Sequence, residues 1–124
     1  MLKEDLLDYL EGTILWSEMQ EKIWKELADF EKNLLEVGRS ATIFYHEGNE
    51  RTVITSKHLS RLCEDYLNGS VKHIFLSYCA DALLLSEHTT FETPVIQEHL
   101  EELTDFDING PLTDERVRTI LFTI

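Results

Sequence analysis

The sequence predicts a mainly α fold: one compact helical bundle of about six helices, a single helical domain over residues 1–124, with a β-hairpin signal near residues 40–55. Three observations carry this. Apolar residues recur at three- and four-residue spacing through most of the chain, which puts them on one side of a helix. The breaks between those stretches hold capping and turn residues. Only the segment 40–55 is β-branched and aromatic around a turn-prone centre.

The first helix carries Leu2, Leu6, Leu7 and Leu10 as its apolar stripe and breaks at Gly12-Thr13, where Thr13 offers an N-cap for the next. The second runs to about Val37. Trp16, Ile23, Phe30 and Val37 recur every seven residues, Leu27 and Leu34 flank them, and Trp24 and Leu35 widen the face. Gly38 stands where a left-handed C-terminal cap is expected. Within residues 40–55, Ala41–His46 and Arg51–Thr55, on either side of Glu47-Gly48-Asn49-Glu50, then read as two strands of a hairpin that must pack on the helices to be stable.

Ser56 is placed to cap a third helix bearing Leu59, Leu62, Cys63, Tyr66 and Leu67, which ends at Asn68-Gly69. Ser70 is placed to cap a fourth. Residues 71–85 are apolar almost all round, as in a helix at the centre of a bundle; a buried strand near 73–79 is the alternative for so short an apolar run. Thr93-Pro94 reads as a cap followed by proline at the first helical position, with Val95, Ile96, Leu100 and Leu103 turned inward. Asn109-Gly110-Pro111 is a firm break. Thr113 caps a last helix, with Asp114 and Glu115 in the first turn and Val117, Ile120 and Leu121 facing in.

Composition narrows the function. With 24 Asp and Glu against 11 Lys and Arg, the formal net charge is -13, which argues against direct binding of nucleic acid or an anionic membrane. No apolar run approaches the ~18 residues that span a bilayer. Met1-Leu2-Lys3-Glu4-Asp5 lacks the pattern of a signal peptide, so a cytoplasmic protein with reduced Cys63 and Cys79 is expected.

Motifs for chemistry are weak. Asp105-Phe106-Asp107-Ile108-Asn109-Gly110 matches the first half of a calcium-binding loop, but the twelfth position, which needs a bidentate Glu, is Arg116. The same residues serve as polar turn formers between two helices. His46, His58, His73, His88 and His99 lack zinc-site spacing, and neither cysteine has a partner two residues away. No nucleophile elbow or glycine-rich phosphate loop occurs, and sequence alone singles out no acid–base pair among 24 carboxylates. No catalytic residue, metal or cofactor is therefore assigned, and a non-enzymatic role is expected.

Charge distribution says more. Residues 73–115 hold ten acidic side chains and no Lys or Arg. Within the expected helix 94–104, Glu98, Glu101 and Glu102, followed by Asp105, share one side by their spacing, and Asp107 extends the set. A solubilising outer face is one reading of such a row; a docking surface for a basic partner is the other.

Four runs, Val53-Ile-Thr-Ser-Lys-His58-Leu, Leu62-Cys-Glu-Asp-Tyr-Leu-Asn-Gly69, Leu76-Ser-Tyr78-Cys-Ala-Asp-Ala-Leu-Leu-Leu-Ser86 and Glu102-Leu-Thr-Asp-Phe-Asp-Ile-Asn-Gly-Pro-Leu-Thr113, resemble small bacterial immunity proteins of contact-dependent growth inhibition systems. The resemblance covers about residues 53–121. It implies a cytoplasmic antidote that binds a cognate toxin, commonly a basic nuclease. The acidic row, read from charge and spacing, then gives Glu98, Glu101, Glu102, Asp105 and Asp107 as the expected partner-binding residues. An acidic adaptor or nucleic-acid mimic regulating a cellular nucleic-acid-binding protein is the alternative on the same charge.

Overall fold

Leu6, Tyr9 and Leu10 fall on one side of the first helix, α1 (Lys3–Leu10), and all three are buried. The structure is a computed structural model that describes residues 1–35, 43–104 and 112–124. Leu2 does not belong to the α1 stripe. It lies before the helix in extended conformation and is 52% exposed, because it forms a parallel bridge with His46. Gly12 closes α1 with φ +82°, a left-handed conformation that glycine adopts without strain. Thr13 stays in that turn, its N–H bonded to the Asp8 carbonyl, and caps nothing.

α2 (Trp16–Leu35) buries Met19, Ile23 and Phe30 and keeps Trp16 and Leu27 at the core margin. Trp24 was expected to widen this face but is 62% exposed, one step round the helix from Ile23. The expected end at Val37 and Gly38 lies outside the described residues.

The hairpin expected over 40–55 does not form among the described residues. β1 (Thr52–Ile54) instead pairs in parallel with β2 (Thr89–Phe91), Thr52 opposite Thr89 and Ile54 opposite Phe91. The first half of the supposed hairpin is occupied elsewhere. Phe44 donates its N–H to the Tyr78 hydroxyl at 3.1 Å, and His46 bridges Leu2. β-branched residues mark a strand without naming its partner, and a parallel partner lies a whole crossover away.

That crossover is two helices. α3 (Ser56–Leu67) buries Leu59, Leu62 and Cys63 and ends before Gly69 at φ +85°. Its N-cap is Thr55, one residue before the expected Ser56, and the Thr55 N–H is taken by His58 Nδ1 at 3.0 Å. α4 (His73–Leu85) buries nine residues from Ile74 to Leu83, which settles the 73–79 run as the central helix. Ser70 is not its cap. The Ser70 N–H and hydroxyl both go to Asn68 Oδ1, and Lys72 takes the cap position.

α5 (Pro94–Glu102) packs on α4 through Ile96 and Leu100, while Val95, expected inside, is 44% exposed. α6 (Asp114–Thr123) packs on α3 through Val117 and Ile120, and Thr113 caps it as expected, accepting the Arg116 N–H at 3.2 Å. One core gathers buried side chains from all six helices. Its aromatic centre joins three of them: Phe75 of α4 lies 4.1 Å from the Trp16 ring of α2 and 5.6 Å from Tyr9 of α1, centroid to centroid.

Candidate functional site

α5 is short, and its orientation is set by two buried side chains. With Ile96 and Leu100 held against the core, the side of the helix that carries Gln97, Glu98 and Glu101 faces out. Glu98 and Glu101 are accordingly exposed, and Glu102 is half-buried at the edge. These three predicted residues therefore share one region. Asp105 and Asp107 lie outside the described residues.

Glu102 does not stand alone. Its Oε1 is 3.5 Å from Nδ1 of His99, whose other nitrogen meets the Thr123 hydroxyl at 3.1 Å. His99 thus ties α5 to the last turn of α6. The contact with Glu102 is an ion-pair distance rather than an aligned hydrogen bond, and Nδ1 has no hydrogen-bond partner among the described residues. Elsewhere in the base-free interval Glu87, Glu92, Asp114 and Glu115 are also exposed, and Asp114 receives the Tyr66 hydroxyl.

The residues that chemistry would need are otherwise engaged. Burial, with the Glu64 charge beside it, pushes the Cys63 thiol up to about 12. Burial raises Cys79 well above its ordinary value, and Glu26 adds to this. Both thiols are fully enclosed, the opposite of the electropositive, accessible setting that makes a cysteine reactive. No group of three His, Cys, Asp or Glu among the described residues is arranged to hold a metal ion. Residues 105–111 of the calcium-loop-like run lie outside the described residues, and Arg116 sits in the first turn of α6.

Compared with known proteins, the chain matches no family model, no curated protein and no solved structure. No helix among the described residues is long and apolar enough to cross a membrane.

Sequence reasoning missed what the 43–52 segment does. Glu47 reaches across to accept hydrogen bonds from the Ser86 hydroxyl and, at 2.9 Å, from the Glu87 N–H. Burial pushes its carboxyl up, but the Ser86 hydroxyl, the Glu87 amide and neighbouring His88 outweigh that and hold it below the usual carboxylate range. The segment thereby touches the base-free interval at Ser86 and Glu87. Nothing in local periodicity signals a contact between residues 39 positions apart.

Proposed function

We propose that this chain is an immunity protein that binds and neutralises a cognate bacterial toxin, a basic nuclease, by blocking its active site or substrate cleft. The observation that carries the reading is the outward carboxylate row of α5, with Glu98 and Glu101 exposed and Glu102 beside them, inside an interval free of Lys and Arg. A nuclease surface is basic because it holds phosphates. Carboxylates presented by a folded helix occupy such a surface in place of the phosphates, and complementary fields steer the encounter by factors of about 10–10³ in rate. Inhibition of this kind needs no catalytic group and no cofactor in the antidote, and it acts in the cytoplasm, where the nucleic acid is.

The test is co-expression with the toxin encoded beside this gene, together with stopped-flow association. The wild type restores growth. Reversing Glu98, Glu101, Glu102 and Asp105 to Lys slows association by at least tenfold and flattens its salt dependence. An unchanged rate would remove this surface from the interface. If no toxin is neutralised and a basic cellular nucleic-acid-binding protein co-purifies instead, the adaptor reading replaces the antidote.

A further inference from the structure

The parallel bridge between Leu2 and His46 has a second effect. The Lys3 N–H bonds to the His46 carbonyl, and the His46 N–H to the Met1 carbonyl, each at 2.9 Å, so the start of α1 lies beside residues 46–52. Between them opens a cleft of about 590 Å³. Its apolar lining includes Leu2, which is half-exposed, and Leu7. Three acidic residues also line it: Glu4, Glu50 and Glu47, the last with its carboxylate bonded to Ser86 and Glu87. Glu47 keeps its charge while bonded to Ser86, and Glu4 and Glu50 are exposed with no ion-pair partner among the described residues.

One cation lines the same cleft. Lys3 is 7% exposed, and its ammonium donates to the Glu50 backbone carbonyl at 2.5 Å, so it is held by the protein's own chain. Three acidic residues against one engaged lysine leave the cleft negative.

We propose that this cleft seats a cationic side chain, an arginine or lysine, presented by a basic segment of a protein partner. Such a side chain is amphipathic: its methylene stem covers the exposed part of Leu2 and Leu7 while its head meets Glu4 and Glu50. An anionic ligand would meet three acidic residues, and a purely apolar one would leave them desolvated and unpaired. Because Glu47 is bonded to Ser86 and Glu87, the cleft borders the base-free interval, and a basic partner meets both. The inference holds for any partner with a basic segment and goes beyond the toxin-binding reading.

The experiment is a ¹H–¹⁵N titration of the full chain with an end-blocked tri-arginine peptide, and with tri-glutamate as the opposite charge. Saturable shifts are expected at residues 2–7 and 46–52. The Glu4→Gln/Glu50→Gln variant weakens binding about tenfold, whereas Glu31→Gln/Glu64→Gln, two exposed carboxylates outside the cleft lining, leaves it unchanged. Gly48→Lys supplies an independent check. Gly48 lines the cleft, has no positive φ, and a Cβ there meets nothing within 4 Å, so the variant folds and its own cation blocks the peptide. Shifts spread evenly over the surface or centred on α5, equal binding of tri-glutamate, or shifts that follow protein concentration because a second copy fills the cleft would each overturn the proposal. Since no toxin is used, that failure would leave the neutralisation reading untouched.

Discussion

The Tyr78 hydroxyl donates a 2.5 Å hydrogen bond to Glu26 Oε2, joining α4 to α2 across 52 positions of sequence. The same carboxylate pairs with the Met1 ammonium at 2.8 Å, and the Tyr78 oxygen accepts the Phe44 N–H. A single tyrosine hydroxyl therefore connects the central helix, the long helix and the 43–50 segment. Tyr78→Phe removes that oxygen and leaves the Phe44 N–H and one carboxylate position without their partner. A loss of about 1.5–3 kcal/mol is expected from urea unfolding, the range for hydrogen bonds to charged groups. A loss below 0.5 kcal/mol would mean that water replaces the hydroxyl freely.

Alkali should weaken the fold. Burial first, then the bond to Asp65, raises the Tyr9 hydroxyl, and burial followed by the bond to Glu26 raises Tyr78. Burial also lifts Cys63 to about 12. Each raised group contributes stability that is complete below its unfolded value and lost as pH climbs toward its folded one. Stability should fall from about pH 8.5 for the thiols and more steeply from about pH 10 for the tyrosines. Urea midpoints measured from pH 7 to 11 check this, and a flat profile would contradict it.

Acid should act on the other side through Glu47. Its lowered carboxyl contributes stability above the unfolded value near 4.3, lost as pH falls through the folded one. Glu47→Gln should flatten the acid limb of a urea-midpoint profile extended below pH 5, and speed amide exchange at Glu87, whose N–H the carboxylate accepts.

The aromatic centre should be the most sensitive part of the core. Phe75 is fully buried and touches the Trp16 and Tyr9 rings. Phe75→Ala should cost about 3–5 kcal/mol by combining lost transfer energy with a cavity. Trp24→Ala, at a side chain 62% exposed, should stay within about 0.5 kcal/mol of the wild type. Chemical unfolding of the two variants side by side checks this ranking by burial, and equal losses would contradict it.

Thiol labelling gives a simple test of the interior. Cys63 and Cys79 are both fully buried, so an aromatic disulfide reagent at pH 8 should modify neither in the native protein within minutes and both in denaturant. Fast labelling of one thiol would locate an opening motion in α3 or α4.

Helices were legible because their signal is local. The all-round apolar run 71–85, the stripe of Leu59, Leu62 and Cys63, and the Thr113 cap each depend on neighbours within four positions, and each stands in the structure as expected. The outward positions of Glu98 and Glu101 were legible for the same reason, since the buried Ile96 and Leu100 determine which side of the helix faces out. The strand at Thr89–Phe91 was not, because three residues carry too little pattern.

By itself, the sequence determined the helical class, the burial of the apolar run 71–85 and the acidity of residues 73–115, all consequences of short-range periodicity and charge. Only the tertiary structure decided that β1 pairs with β2 rather than with its neighbour, that Leu2 leaves the α1 stripe to bridge His46, and that Glu4 and Glu50 flank one cleft. Each of these joins residues more than 30 positions apart. A β-branched or acidic residue carries no information about such a partner; packing of the helices between them brings the pair together.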